Sequence, residues 1–352
     1  MFKCQRLVGG PAIGFEFHDR FSSFDGGSLT CPLSIVVTSY EYRRLKYLSN
    51  LIASLALQDF EGFEVVFVIE SDLLLLDELK NVIHNAGLRN YRILFNTDRP
   101  GISGSRNLGM SATIGDIIAL VDDDVVLPCK WVSSVVRIFD DTSVLAATGP
   151  VLPDWEDGEW SWLPAEFHWL IGCSTWSQKV KSFRVRNVWG ANMAFRREAV
   201  LAISGFSDQV GGMHGERVYG EENEVSIRLT QYRPGRIVLA PEMEVRHRIY
   251  SDKLNLRRIL SNSFDMGKSR RIYAGNYRRL GIERAIIVSI VVQRMLLECF
   301  RLPRRRGKGW ATICISTITL VSGGIGFATG RAPNSRASIA PGQGSRMEVE
   351  QS

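Results

Sequence analysis

Short apolar runs alternate with helix-spaced segments between Leu33 and Val121, and this alternation limits the fold more than any other feature of the chain. The run Leu33–Ser39 has the continuous apolar character of a buried strand, whereas the segment from Tyr42 to Leu57 repeats leucine and isoleucine at helical spacing. Strands that alternate with helices predict an α/β fold with a mostly parallel sheet. The predicted strands are 33–39, 64–69, 91–96 and 116–121, and the predicted helices are 42–57, 73–86 and 105–113.

Three adjacent carboxylates, Asp122, Asp123 and Asp124, follow the last of these strands. Ligands of parallel sheets bind beyond the carboxyl ends of the strands, so these residues stand where a site is expected. Three adjacent negative charges repel one another unless a cation lies among them, and Mg²⁺ or Mn²⁺ would neutralise Asp122 or Asp124 and bridge to a diphosphate. A solvated acidic turn, or a helix N-cap near Pro128, is the alternative.

The positive charge of the chain is concentrated toward its C-terminus. The 352 residues contain 43 Lys and Arg against 37 Asp and Glu, a formal net charge of +6. A basic cluster at 301–308 precedes the uncharged run from Gly309 to Gly330, which reaches the roughly 20 residues that cross a bilayer. We therefore predict a membrane-associated helical region at 276–330 with a possible transmembrane helix at 309–330, a re-entrant or interfacial segment being the alternative.

A second basic stretch, from Arg257 to Arg271, suits a phospholipid surface or a phosphorylated lipid acceptor, although a solvated helix face is equally compatible with it. The six cysteines are far apart and form no CxxC pair, which favours a reduced, cytosolic catalytic domain. Residues 1–32 lack the apolar core of a signal peptide and are predicted to be an N-terminal extension, and 331–352 a disordered tail. The absence of a basic-aromatic platform or a zinc pattern argues against a nucleic-acid partner.

Four segments in a fixed order carry a resemblance to a known family. They are Ile35-Val-Val-Thr-Ser-Tyr40, Gly104-Ser-Arg-Asn-Leu-Gly109, Val121-Asp-Asp-Asp124 and Gly220-Glu-Glu-Asn-Glu224. Together they resemble family 2 glycosyltransferases of the GT-A fold, over roughly Leu33 to Tyr273. The resemblance implies a GT-A, Rossmann-like domain at 33–275, with a mostly parallel sheet flanked by helices and followed by the C-terminal membrane-associated helical segment.

The resemblance also implies site residues. It makes Val121-Asp-Asp-Asp124 the DxD motif and identifies a late strand that ends in His247, so that Asp122, Asp124 and His247 would hold Mg²⁺ or Mn²⁺. A lone histidine of this kind is also commonly structural. Where the family has an Asp-rich turn, this chain has Ile69-Glu-Ser-Asp72, which leaves Glu70 and Asp72 as alternatives beside the nucleotide. The donor-binding residues that the resemblance implies are Ser39, Tyr40, Glu70, Arg106, Asp122, Asp123 and Asn192.

The family places its catalytic base at an acidic pair, and Glu222 is the matching second acid here. Because the family usually has Glu-Asp at this position, the extra methylene leaves Glu221 and Glu224 as alternative bases. Acids in a first helical turn also complement the helix dipole without any catalytic role.

The implied activity is an inverting transfer of a sugar from a nucleotide-sugar, with a UDP-sugar as the expected donor. The acceptor is expected to be a hydroxyl of a lipid-linked or surface glycan, because the basic segment and the C-terminal apolar run resemble enzymes such as the archaeal dolichyl-phosphate-linked glucuronosyltransferases. The expected partners are therefore the donor, a polyprenyl- or dolichyl-phosphate-linked acceptor and membrane lipid, with the catalytic domain on the cytoplasmic side of the cell membrane. A catalytically silent nucleotide-binding or membrane scaffold protein of the same fold is the alternative.

Overall fold

A mixed eight-stranded β-sheet with helices on both faces organises the protein. The computed structural model describes residues 31–158, 163, 165–174, 182–207, 219–250, 255–276 and 308–330. The strands are β1 Leu33–Ser39, β2 Phe63–Glu70, β3 Tyr91–Asn96, β4 Ile117–Asp122, β5 Val125–Val126, β6 Val144–Thr148, β7 Val151–Trp155, β8 Phe183–Val185, β9 Asn192–Arg196, β10 Arg236–Leu239 and β11 Val245–Ile249. The helices are α1 Leu45–Ala56, α2 Leu73–Ala86, α3 Ile102–Ser111, α4 Trp131–Ile138, α5 Arg197–Ala202, α6 Glu221–Tyr232, α7 Leu256–Asn276 and α8 Lys308–Thr329, with short 3₁₀ turns at Tyr42–Arg44, Ala165–Ile171 and Pro241–Met243.

The strand order in the main sheet is β3-β2-β1-β4-β9-β6-β10-β8. The first four strands pair in parallel, as predicted. Strand β9 runs antiparallel between β4 and β6, and β10 pairs parallel with β6 but antiparallel with β8. The expectation of a mostly parallel sheet is therefore confirmed for the first half, and the second half makes the sheet mixed.

The predicted elements of the first half agree closely with the structure. Helix α2 and strand β3 have the predicted bounds, while α3 begins at Ile102, three residues before the predicted start. Gly101 precedes it with a φ of 108°, a backbone conformation that favours glycine, and this turn lets the helix start early.

The strand register brings the carboxyl ends of β1 and β4 side by side. Thr38 lies opposite Asp122 in the parallel β1–β4 pair, and Val121 lies opposite Asn192 in the antiparallel β4–β9 pair. A smaller sheet, β5-β11-β7, covers this edge, and within it His247 lies opposite Val125. The histidine of β11 is thereby held next to the acidic segment that follows β4.

The alternating side chains of β1 supply apolar contacts to both faces of the sheet. Ile35 and Val37 belong to the buried cluster that also contains residues of α1, α2 and α4, whereas Val36 belongs to the cluster with residues of α3 and α6. Gly109 allows α3 to lie close to the sheet, since a Cβ on it would collide with the Val36 side chain. Both faces are thus packed against helices, as expected for a mainly parallel sheet.

Helices α7 and α8 lie side by side and run in the same direction, since Gly323 lies against Ser263 and Gly330 lies against Arg271. The hydroxyl of Ser263 donates to the Thr319 carbonyl and that of Ser322 to the Leu260 carbonyl, both over 2.7–2.8 Å. A small apolar cluster joins the pair to the Ala165–Ile171 turn through Phe167, among other residues. The pair is therefore attached to the α/β domain by side-chain packing.

None of the described helices, α8 among them, is long and apolar enough to cross a bilayer, which leaves the span expected at 309–330 unconfirmed. The basic cluster at 301–307, the tail at 331–352 and residues 1–30 of the predicted N-terminal extension lie outside the described residues.

Candidate active site

The three adjacent aspartates point in different directions. The side chain of Asp122 is 31% exposed, while those of Asp123 and Asp124 are buried. Asp123 turns toward β1, where the Ser39 hydroxyl donates to it over 2.5 Å. Asp124 accepts from the Tyr250 hydroxyl over 2.6 Å and lies 3.0 Å from Nε2 of His247. At the end of β4, Asp122 therefore faces solvent, Asp123 faces β1 and Asp124 faces β11.

One ligand atom each from Asp122, Asp124 and His247 lie within 4.8 Å of one another. Two carboxylate oxygens and an imidazole nitrogen form a donor set that fits Mn²⁺, and the oxygens also suit Mg²⁺. Burial opposes the charged form of His247, but the negative charge and hydrogen bond of Asp124 outweigh it and raise the pKa of His247 to about 10. Binding of a metal at Nε2 would displace this proton.

Arg44 is a part of the site that the sequence did not reveal. Its guanidinium binds both carboxylate oxygens of Asp123 and lies 2.8 Å from Oδ2 of Asp124, and it stacks over the Tyr40 ring at 5.5 Å. Arg44 belongs to the 3₁₀ turn after β1, almost eighty residues before the aspartates, so no local pattern announces the contact. Its single positive charge offsets part of the negative charge of the two buried carboxylates.

A second arginine links the acidic triplet to α6. Arg106, on α3, is 3% exposed and lies 3.3 Å from Asp122 and 2.9 Å from Glu221. It also donates to the Gly190 carbonyl over 3.3 Å and lies over the Phe206 ring. A guanidinium held beside Asp122 is placed to meet an anionic group that reaches this edge of the sheet.

The first turn of α6 separates the three candidate bases. Glu224 forms a close pair with Arg228 over 2.6 Å, and Glu221 pairs with Arg106. Burial, and then the charge of Glu221, raise the pKa of Glu222 to about 8. Gly220, with a φ of 102°, lets the chain enter the helix at this point. Of the three acids, Glu222 is the one that neither arginine binds in these contacts.

The remaining predicted donor residues have different surroundings. Tyr40 is 57% exposed at the carboxyl end of β1. Glu70 accepts from the Gly101 amide and the Ser105 hydroxyl, each over 2.9 Å, and so also holds the start of α3. Asp72 caps α2 by accepting from the Leu75 amide. Asn192 is fully buried.

The amide of Asn192 is occupied within the protein. Its nitrogen donates to the Met243 carbonyl and its oxygen accepts from the Trp131 indole over 3.3 Å. These contacts join β9 to α4 and to the 3₁₀ turn before β11. These contacts give Asn192 a supporting role in the fold, and its assignment to the donor sugar stays a prediction.

Cysteine 173 and Tyr250 are two further neighbours of the metal-ligand cluster that sequence reasoning missed. The Cys173 sulfur lies 3.8 Å from Nδ1 of His247. The adjacent Gly172, at a φ of 85°, lies so close to the imidazole that a Cβ there would be 2.8 Å from His247 Cε1. The chain that follows the turn Ala165–Ile171 therefore packs against the ring of His247.

Comparisons with known proteins show which family model and which relative the chain is similar to. The family model described as glycosyl transferase family 2 matches residues 34–203. The chain is 28% identical over 242 residues to the glucosyl-dolichyl phosphate glucuronosyltransferase of Haloferax volcanii, and the match covers 68% of this chain and 76% of that protein.

Among the solved structures that are similar to the chain are a mannosyltransferase and TarS. The mannosyltransferase PcManGT of Pyrobaculum calidifontis, in complex with GDP-Man and Mn²⁺, gives a TM-score of 0.54 at 14% identity and covers 83% of this chain and 86% of its own. TarS 1–349 of S. aureus, in complex with UDP, gives a TM-score of 0.44 at 15% identity. The match covers 66% of this chain and 64% of the TarS chain, so this chain spans slightly less than two thirds of the length of that structure. The likeness to PcManGT shows that the chain has the GT-A α/β fold with a mixed sheet.

Proposed function

We propose that the protein, whose residues 34–203 match the glycosyl transferase family 2 model, is a metal-dependent, inverting hexosyltransferase. Its donor is a nucleotide-sugar, which we expect to be a UDP-sugar. Its acceptor is a hydroxyl of a lipid-linked or surface glycan.

The convergence of Asp122, Asp124 and His247 at the carboxyl edge of the sheet, with Arg106 beside it, is the observation that carries this proposal. A nucleotide-sugar presents a diphosphate, and both a cation site and a guanidinium suit that group. A divalent cation, Mg²⁺ or Mn²⁺, held by Asp122, Asp124 and His247 would stabilise the charge that develops on the departing diphosphate.

The protein's own residues perform the other parts of the reaction. Ser39 and Tyr40 line the end of β1 and Glu70 that of β2, where we assign the nucleoside. Arg106 stabilises the diphosphate. Glu222 accepts the proton of the acceptor hydroxyl while the oxygen of that hydroxyl attacks the anomeric carbon of the donor sugar. Because the attack comes from the side opposite the departing diphosphate, the anomeric configuration inverts in one displacement.

The raised pKa of Glu222 supports its assignment as base over its neighbours. Because its pKa is about 8, the ionised form of Glu222 is a stronger base than an ordinary glutamate, and this form becomes populated as pH rises toward 8. Glu221 is paired with Arg106 and Glu224 with Arg228, so the carboxylates of both are engaged within the protein.

We further assign the acceptor to the polyprenyl- or dolichyl-phosphate-linked class and the protein to the cytoplasmic face of the cell membrane. The name of the Haloferax relative supports the first assignment, since that protein acts on a dolichyl phosphate-linked sugar. The second draws on the basic residues of α7, which suit an anionic lipid surface.

A thermal-shift screen against UDP-, GDP- and dTDP-sugars, each with and without Mn²⁺, tests the donor proposal. A donor at 100 times its Kd stabilises the folded state by about 2.7 kcal/mol, which raises Tm by several degrees. A metal-dependent shift for one nucleotide identifies the donor class. The absence of any shift would instead favour the silent scaffold protein.

A variant pair tests the base. Glu222→Gln should keep the donor-dependent shift in Tm and lose sugar transfer, whereas the control Glu242→Gln, at an exposed position, should keep both. Product analysis by NMR should give the anomeric configuration opposite to that of the donor. A Glu222→Gln protein that transfers sugar at the normal rate would assign the base to another residue.

A further inference from the structure

A narrow apolar groove runs between α7 and α8 on the side of Trp169. Its volume is about 230 Å³. Trp169, Met266, Leu320 and Phe327 line it with apolar surface, and Arg270 is the only charged residue among the described residues that line it. An apolar cavity of about 150 Å³ holds benzene, so this groove has room for a longer, branched hydrocarbon.

Glycines bring the two helices together beneath the groove. A Cβ on Gly267 would collide with the Gly323 carbonyl, and one on Gly326 with the Phe264 carbonyl. Gly324 differs from these glycines, because a Cβ on it meets nothing within 4 Å although the residue lines the groove. The groove is therefore an open channel above a closely packed helix pair.

Helix α7 connects the groove to the active site by two hydrogen bonds. The Ser269 hydroxyl accepts from the Tyr219 amide over 2.9 Å, directly before Gly220 and the acids of α6. The Asn262 amide donates to the Leu170 carbonyl over 2.8 Å, next to Trp169. The Ala165–Ile171 turn that carries Trp169 leads to Gly172 at the ring of His247. The groove thus adjoins elements on both the base side and the metal side of the site.

We propose that this groove binds the first isoprenoid units of a polyprenyl phosphate acceptor, with Arg270 beside the phosphate. The inference rests on the proposed function and names the lipid part of its acceptor. A hydrocarbon chain in the groove would bury its apolar walls away from water. The phosphate would lie beside a basic helix, because the described residues of α7 contain five Lys and Arg residues and the single acid Asp265. The phosphate-linked sugar would then lie toward Glu222 and the Asp122–His247 edge.

Binding of farnesyl phosphate and of methyl phosphate to the full chain, measured by titration calorimetry, tests the groove without any sugar transfer. The wild type should bind farnesyl phosphate at least about tenfold more tightly than methyl phosphate, since burial of a few methylene groups accounts for such a ratio. Gly324→Phe places a ring in the groove where there is space for it and should remove this preference. The control Val321→Phe, at a position of α8 that is 55% exposed and does not line the groove, should retain it.

Arg270→Gln provides the complementary test. It should weaken farnesyl phosphate binding and leave farnesol binding unchanged, because farnesol lacks the phosphate. If Gly324→Phe binds farnesyl phosphate with the affinity of the wild type, the groove assignment is overturned. It is also overturned if the control Val321→Phe loses as much affinity for farnesyl phosphate as Gly324→Phe does.

Sugar transfer separates the two proposals. If the wild type transfers sugar to a polyprenyl phosphate-linked acceptor while Gly324→Phe has the same KM for that acceptor, the proposed function stands and the groove assignment fails. If no donor yields transfer but the binding pattern of the variants holds, the groove assignment stands and the proposed function fails.

Discussion

Replacing Glu222 by glutamine should make the protein more stable at alkaline pH but not at pH 5. The folded protein holds the Glu222 proton up to a pKa of about 8, whereas the unfolded chain releases it near 4.5. The unfolded state therefore binds fewer protons between these values, and the free energy of unfolding of the wild type falls as pH rises through this window. Glutamine does not ionise, so the free energy of unfolding of the Glu222→Gln variant does not fall for this reason as pH rises.

The magnitude follows from the width of the window. Each pKa unit corresponds to about 1.4 kcal/mol, so the change between pH 5 and pH 8.5 has an upper limit of about 4 kcal/mol. Proton sharing with Glu221 and local relaxation reduce this change in the free energy of unfolding. We expect a change of roughly 2 kcal/mol, which corresponds to about 4–8 °C in Tm for a domain of this size. The difference in Tm between Glu222→Gln and the wild type should grow by this amount from pH 5 to pH 8.5.

The assay is thermal unfolding in buffers of matched ionic strength, with the exposed Glu61→Gln as a control for the loss of one carboxyl group. A difference in Tm between Glu222→Gln and the wild type that is the same at both pH values would refute the reasoning. It would mean that Glu222 is already ionised in the folded protein, and that neither its burial nor Glu221 holds its proton.

Three further predictions concern the contacts around the site. Asp124→Ala should abolish the stabilisation of the protein by Mn²⁺ in a thermal-shift assay, because it removes the carboxylate that lies between Asp122 and His247; an unchanged Mn²⁺ effect would place the metal elsewhere. Arg44→Met should lower the free energy of unfolding by about 3 kcal/mol in urea titrations, since buried Asp123 loses its forked partner, and Arg44→Lys should recover part of it. Gly109→Ala should cost about 1–3 kcal/mol in the same assay through its clash with Val36, and a loss below 0.5 kcal/mol would show that α3 can move away from the sheet.

The first half of the fold could be predicted because its elements are short and locally encoded. Buried parallel strands such as β1 are nearly continuous apolar runs, and α2 repeats leucine at helical spacing. The antiparallel position of β9 could not be predicted, since strand order depends on contacts between β4, β9 and β6 that no local pattern encodes. The GT-A expectation came from the resemblance and is confirmed by the comparisons.

The site shows the same division between local and long-range information. The aspartate triplet is a local motif, and the resemblance added His247 to it; the structure brings these residues together. The roles assigned to Glu222 and the donor-binding residues stay predictions. Arg44 and Cys173 join the site only through folding, because Arg44 meets Asp123 across 79 residues and Cys173 meets His247 across 74.

The place of β9 in the sheet also bears on how the protein is made. Strand β4 has one neighbour, β1, that precedes it in the chain, but its other neighbour ends only at Arg196. Strand β6 has neither of its partners, β9 and β10, when it leaves the ribosome. One edge of β4 and both edges of β6 thus remain open during synthesis of the intervening residues, and such edges are where nascent chains associate. Chain elongation through this stretch is therefore the stage at which we expect the yield of folded protein to depend most on temperature and on chaperones.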